Sequence, residues 1–424
     1  MNVDTESAIY DQWLLERVVH SVRHGARSFN EVLNATIGAD PMVVCDALRR
    51  AVRSGNLEPA ATALINNVAE DGPDSTIEPM LPQPHPLDFE WRFSRLGGEY
   101  ILAKSSGQGV GDLCLVGATT VALLASTRGW QGRLVSLDVD GLILENAHRL
   151  HSEIEVKQID VIRNVLPSFK TETVVADPPW YPEYIKGFLW ASARLCTGEG
   201  RVLLIVPGEG TRPGVAADRA EVLRMAAFYG LEMVEVEPQV VAYETPLFEY
   251  NALRAAGVGQ PPRFWRKGDL ILFRRTSKDE GQRPIPSPEP DFWAELAFDG
   301  ARIRFRHKNN IVGHSPKLQS IIDGDILPTV SRRDPRRAEV DVWTSGNRVY
   351  ACENPEMLKI IANAAVGGLS ALRAVENFLG RKCNRIESRL ISETASQIVE
   401  LVNLERYEQI EYARYNTEGE VRAV

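Results

Sequence analysis

Residues Val174 to Trp180 read Val-Val-Ala-Asp-Pro-Pro-Trp, an apolar strand end that runs into an acidic, proline-stiffened, aromatic turn. Pro178 and Pro179 fix φ and bring no N–H, so the carbonyls of the turn stay free to accept hydrogen bonds. An Asp177 carboxylate beside such a carbonyl can take both hydrogens of a planar NH2 group, and the Trp180 indole offers it a stacking face. The chemistry this spacing suits is the capture of an amine.

The elements that position the turn are legible upstream and downstream. Asp112 to Val116, Arg133 to Leu137, Glu155 to Ile159 and Thr173 to Ala176 have the length and apolar content of strands, with helical patterns over 118–127 and 142–152 between them. Further strands are expected at 201–206, 231–236 and 269–273. The first four end at Gly117, at Asp138 and Asp140, at Asp160 and at Asp177. Alternation of this kind predicts an α/β fold, a Rossmann-like, doubly wound sheet of seven strands, whose ligands bind at the carboxyl ends of the strands.

The turn is the Asp-Pro-Pro-Trp signature of S-adenosylmethionine-dependent amino-methyltransferases, and the region 111–274 resembles their class I fold, in particular the N6-adenine type. The resemblance implies that Asp177, Pro178, Pro179 and Trp180 hold the target amine. It implies that Gly117, Asp138, Asp140 and Asp160 hold S-adenosylmethionine, through backbone approach, ribose hydroxyls and the adenine amino group. Attack of the amine lone pair on the sulfonium methyl is then driven by position and nearby negative charge. Tyr181, Tyr243 and Phe248 are the expected substrate contacts, the last two in an aromatic segment, 238–267, that could line a channel. Two features depart from the family: Val116-Gly117-Ala118-Thr119-Thr120 carries one glycine where several are usual, and no target-recognition insert is present.

The whole layout also resembles branched-chain polyamine synthase, an aminopropyltransferase, which implies decarboxylated S-adenosylmethionine as the alternative donor. The match rests on Gly117, Asp138-Val139-Asp140, Asp160 and Asp177-Pro178-Pro179, while Ala118-Thr119-Thr120 replaces the acids that would bind a polyamine. A catalytically inactive subunit of methyltransferase fold is the third reading.

A chain of 424 residues, 44% hydrophobic, is long enough for further domains on either side. Residues 1–69 read as helix, tight turn and helix, with a capping box at Ser28 and Glu31, the layout of a winged helix-turn-helix. Prolines 73, 79, 82, 84 and 86 make 70–88 an extended linker. The catalytic domain is expected over 89–276, a second charged linker over 277–291, and a strand-plus-helix interaction domain over 292–424. Its apolar helical spacing suggests a bundle or a homo-oligomer seam.

Net charge is −9, yet 302–337 holds nine Lys and Arg against three Asp, a candidate nucleic-acid contact. Five scattered cysteines without metal-ligand spacing predict buried thiols, with no metal and no disulfide framework. An acidic, polar N-terminus and the lack of a long apolar run predict a cytoplasmic protein with no membrane segment.

Overall fold

The computed structural model describes residues 3–67, 74–77, 81–106, 109–276, 281–285, 292–298, 300–308 and 315–422. Most of the stretch 277–291 lies outside the described residues.

The N-terminal unit consists of α1 (Val3–Arg23), α2 (Phe29–Ala35), α3 (Pro41–Arg53) and a 3-10 helix, Pro59–Asn66. Ser28 caps α2 by accepting from the Glu31 amide at 3.3 Å, but Glu31 reaches past it to the Arg27 amide at 2.7 Å. Asp40 caps α3, which opens with Pro41 at a position where no N–H is needed. Among the described residues of this unit there is no strand pair to serve as a wing. Its apolar face buries Leu14, Phe29 and Leu48 together with Leu253 and Trp265 of the central domain.

The central domain runs through α4 (Arg95–Ser105), β1 (Leu113–Val116), α5 (Thr119–Thr127), β2 (Leu134–Asp138), α6 (Gly141–Leu150), β3 (Glu155–Gln158) and β4 (Thr171–Ala176). It continues with α7 (Pro182–Leu195), β5 (Cys196–Pro207), α8 (Val215–Phe228), β6 (Leu231–Ala242), α9 (Leu247–Ala255) and β7 (Lys267–Arg275). The sheet order is β3-β2-β1-β4-β5-β7-β6. β7 is antiparallel to both its neighbours, and the remaining pairings are parallel. Strand order reverses between β1 and β4, which places their carboxyl ends, Gly117 and Asp177, side by side. Leu113 to Val116 are all buried, as a strand covered by helices on both faces must be.

The aromatic segment expected to line a channel is instead split between the end of β6, a turn and α9. β6 extends to Ala242 because it stays paired with β7 as far as Ala242 opposite Lys267.

The C-terminal domain is an antiparallel sheet capped by helices. β8 (Trp293–Phe298), β9 (Ala301–Arg306), β10 (Gln319–Ser320), β11 (Val342–Thr344) and β12 (Val349–Ala351) lie in the order β10-β12-β11-β9-β8. Helices α10 (Pro355–Val366), α11 (Ala371–Leu379) and α12 (Arg385–Arg422) follow. The inner face of α12 packs on the sheet through Ile398, Leu401 and Val402. Its last turns reach the central domain, where the Tyr412 hydroxyl donates to the Thr245 carbonyl and that of Tyr415 to the Pro261 carbonyl, each at 2.5 Å. Val399, Leu404, Tyr407 and Ile410 remain exposed on the other face.

The described residues 81–88 of the proline-rich stretch before α4 are packed between the central and C-terminal domains. Leu81 joins the central core, Leu87 packs on the C-terminal core, and the buried His85 ring is bonded to the Trp343 carbonyl at 3.0 Å. Prolines forbid regular elements here without forbidding burial. Cys45, Cys114, Cys196 and Cys352 are buried free thiols, and Cys383 is half-buried. Among the described residues no helix is long and apolar enough to cross a membrane.

Candidate active site

A cavity of about 910 Å³ lies where the carboxyl ends of β1, β2 and β4 face the C-terminal sheet. One wall carries Gly117, Asp138, Asp160, Asp177 and Pro179, together with Tyr184 and Phe188 of α7. The stretch before α4 adds Asp88, Phe89, Glu90 and Trp91. Trp293, Glu295, Arg304, Arg306, Arg332, Arg337 and Trp343 of the C-terminal domain close the far side.

Asp177 is fixed from two directions. Its amide donates to the Val116 carbonyl at 3.0 Å, and its Oδ1 accepts from the Tyr243 hydroxyl at 2.6 Å. Burial pushes its carboxyl well above the usual range, the neighbouring Asp138 adds to the rise, and the Tyr243 bond opposes it. A carboxyl whose hold on a proton is strengthened in this way is suited to take up a proton during a reaction.

Asp138 ends β2. Its Oδ1 accepts from the Asp140 amide at 3.0 Å, and its Oδ2 receives the Thr119 hydroxyl at 3.3 Å. Burial raises its pKa to about 7, with Glu90 and Asp140 adding to the shift and backbone amides opposing it. A carboxylate has about four acceptor positions, so room remains for hydroxyls of a ligand.

Gly117 sits at φ +67, and a Cβ there would stand 2.8 Å from the Asp177 carbonyl oxygen and 3.1 Å from Phe188 Cε1. Glycine is needed for the close passage of the two strand ends. Asp160 accepts from the amides of Ile162 and Arg163 and pairs with the Arg163 guanidinium at 2.7 Å.

Asp140 is not on the cavity wall. Its Oδ1 caps α6 through the Leu142 amide at 2.8 Å, and its Oδ2 lies 3.3 Å from Arg302. Trp180 also turns away. Its Cζ2 lies 3.2 Å from the place a Gly268 Cβ would occupy, its ring meets Tyr243 edge-on at 5.6 Å, and Arg266 covers it at 5.4 Å. The missing side chain at 268 makes the slot that takes the indole, so the expected stacking face is spent in the core.

The three expected substrate contacts are placed differently. Tyr243, 2% exposed, is off the cavity wall and is bonded to Asp177. Phe248 is fully buried edge-on against Trp91, with ring centres 5.3 Å apart. The Tyr181 hydroxyl accepts from the Arg332 amide at 3.1 Å and so anchors the loop that carries the arginines.

The basic stretch 302–337 divides in two. Arg302 is bonded to Asp88 at 2.7 Å and to Glu295 at 2.9 Å, and Arg304 to Glu295 at 2.5 Å and to Asp88. Lys308, Lys317 and Arg336 pair with Asp341, Glu393 and Asp334. Of this group Arg302 and Arg304 tie the C-terminal sheet to Asp88 and Asp140, while the three other pairs lie within the C-terminal domain. Arg306, Arg332 and Arg337 reach the cavity. Carboxylate oxygens of Asp88, Glu90 and Asp140 come within 4.8 Å of one another, the closest approach to a metal cluster among the described residues. Arg302 already neutralises Asp88 and Asp140, and Arg92 lies 2.7 Å from Glu90.

The fold has solved neighbours. The chain is similar to a mutein of the branched-chain polyamine synthase from Thermus thermophilus, solved with N4-aminopropylspermidine and 5'-methylthioadenosine. The likeness is 15% identity over 68% of this chain and 97% of that one, with a TM-score of 0.50. The synthase without those changes gives 15%, 68%, 97% and 0.49. A TehB-like SAM-dependent methyltransferase from Corynebacterium glutamicum is 12% identical over 43% of this chain and 87% of that one, with a TM-score of 0.30. Identities this low make the polyamine synthase match a likeness of fold, and it covers more than the central sheet. No family model and no curated protein matches the chain.

Residues that strand-end reasoning passed over include Phe89, Glu90, Thr119, Tyr184, Phe188, Arg332 and Arg337. Arg332 and Arg337 lay within the basic stretch, but nothing in their spacing separates a cavity arginine from one spent in an ion pair.

Proposed function

We propose that the chain transfers a methyl group from S-adenosylmethionine to an amine nitrogen held at Asp177. The observation that carries this reading is that Asp177 lines the same cavity as Gly117, Asp138 and Asp160. The residues present fit such a donor. Asp138 keeps acceptor positions for ribose hydroxyls, Ile159, Val161, Ile162 and Phe188 offer an apolar slot for adenine, and the cavity volume suits a nucleoside-sized ligand. Bound there, the donor supplies a methyl carbon on a sulfonium, which leaves as the C–S bonding electrons return to sulfur. Asp177 accepts an N–H of the acceptor and aims the nitrogen lone pair into the cavity. With a pKa raised by burial, its carboxylate then takes the proton that the alkylated nitrogen sheds.

Adenine N6 in nucleic acid remains within this proposal as one planar amine. Phe89, Tyr184 and Trp293 are rings on the wall, and because Arg332 lies over the first two and Arg306 over the third, a base would stack on the faces these guanidiniums leave. A base in a duplex must be flipped out to enter. Aminopropyl transfer to a polyamine is the second reading, favoured by Glu90, Asp138 and Asp177 on one wall and disfavoured by the arginines opposite.

Calorimetry separates the readings. S-adenosylmethionine should bind more tightly than its decarboxylated form, and Asp177→Ala should abolish transfer while leaving donor binding largely intact. Preference for the decarboxylated donor would move the assignment to aminopropyl transfer, and turnover by Asp177→Ala would remove the mechanism. Binding of neither donor would leave a non-enzymatic subunit.

A further inference from the structure

The charges on the cavity wall do not balance locally. Arg304 is matched by Asp88 and Glu295, and Arg163 by Asp160. Arg332 is paired only loosely, with Glu183 at 3.8 Å, and Arg337 is not matched. Among the described residues Arg337 has no carboxylate within 4.0 Å, and its buried Nη1 has no hydrogen-bond partner. The Arg332 Nη1 is likewise unbonded, with Glu183 at 3.8 Å, beyond hydrogen-bond reach. Buried guanidinium nitrogens without acceptors are costly and call for an explanation.

Both side chains are also held in place. The Arg332 guanidinium lies 5.0 Å from the rings of Phe89 and Tyr184 and 5.3 Å from that of Tyr181. That of Arg337 lies 4.3 Å from the ring of Trp343, which is 1% exposed. Stacking on rigid rings fixes a guanidinium plane and leaves its N–H edge for a planar or tetrahedral anion. Burial pushes the Arg337 pKa down to about 10, with Tyr181 and Asp334 opposing the fall and Arg332 and Arg306 adding to it.

We infer that Arg332 and Arg337 form an anion subsite, and that the amine acceptor carries a phosphate or carboxylate which docks there while its nitrogen reaches Asp177. This rests on the proposed transferase reading and narrows its substrate class from any amine to an anionic one. It also weighs against a purely cationic polyamine, which these arginines would repel.

Titration of the full chain with inorganic phosphate and, separately, acetate tests the subsite, read by tryptophan fluorescence, since Trp293 and Trp343 line the cavity. Phosphate or acetate should bind the native protein, and the stronger of the two identifies the acceptor's group. Arg332→Ala with Arg337→Ala should weaken that binding by about tenfold or more, and Arg337→Lys by less, because it keeps the charge and loses the fork. The exposed Arg333→Ala serves as the control and should bind as the native protein does. If the double variant fails to fold, comparison of Arg337→Lys with Arg333→Ala decides the matter.

S-adenosylmethionine affinity should be unchanged in the arginine variants. A matching loss of donor affinity would reassign the subsite to the donor's own carboxylate and overturn the inference. So would binding of neither anion to the native protein, or equal binding to all variants. Anion binding in a native protein that takes no S-adenosylmethionine would remove the transferase reading and leave the anion subsite standing.

Discussion

At the scale of the residue, the decisive contact is the 2.6 Å bond from the Tyr243 hydroxyl to Asp177. It opposes the rise that burial imposes on the carboxyl and commits one oxygen to the protein, so that the other is left for the amine. Tyr243 is therefore a positioning residue. Tyr243→Phe keeps the buried ring and removes the donor. A hydrogen bond to a charged group is worth about 1.5–3 kcal/mol, so kcat should fall roughly tenfold to a hundredfold. The Asp177 pKa should climb further, moving the acidic limb of the pH–rate profile upward. An unshifted profile would show that the hydroxyl does not act through Asp177.

Legibility in the sequence follows the reach of each interaction. Asp138, Asp160 and Asp177 were readable because a strand end and its turn are local, and the α/β alternation says which end of the sheet they occupy. The direction of Trp180 is not legible, because it is set by Gly268, nearly ninety positions along the chain, which leaves a slot for the indole. Arg332 and Arg337 come to the cavity only through the packing of a second domain, and Asp140 is diverted by Arg302 in the same way. Spacing carries no information about such contacts.

At the scale of the element, a single glycine sets how two strand ends meet. β1 and β4 approach so closely that Gly117, at φ +67, faces the Asp177 carbonyl with no room for a methyl group. Its amide is already given to the Leu137 carbonyl at 2.9 Å, so its contribution is space and backbone angle, not a donor to a ligand. Gly117→Ala should lower stability by about 1–3 kcal/mol through the left-handed strain alone, with the clash adding to it. Because the displaced carbonyl belongs to Asp177, amine transfer should fail even where the variant folds. Denaturant melts beside donor calorimetry check this, and native transfer by a folded variant would mean that the strand ends tolerate separation. The expected winged helix shows how elements mislead at this scale. The capping box and the helix-turn-helix are local and present, while the wing would need a strand pair that the described residues 3–67 do not contain.

At the scale of the whole molecule, the domains are joined by charges taken out of water, and stability must depend on pH accordingly. Arg302 and Arg304 bridge the C-terminal sheet to Asp88, and Arg302 also to Asp140. Glu405 of α12 is fully buried and accepts from the Thr344 hydroxyl at 2.7 Å and the Gly346 amide at 2.8 Å. Burial raises its pKa to about 7, as it does for Asp138, and Asp177 is raised well above its usual value. All three shifts have the same sign. The native state holds protons that the unfolded chain releases near pH 4, so the stabilisation they confer is complete below that point and is lost as pH rises through the folded values, about 7 for Asp138 and Glu405. The slope is at most about 1.4 kcal/mol per pH unit for each group. The melting temperature of the free protein should therefore fall between pH 5 and pH 8. Glu405→Gln should flatten the curve without touching the cavity, and Asp138→Asn should flatten it while weakening donor binding. A melting temperature that rises over that interval would mean that these carboxylates are ionised in the folded protein, and that the arginines around the interface, not protons, hold their charge.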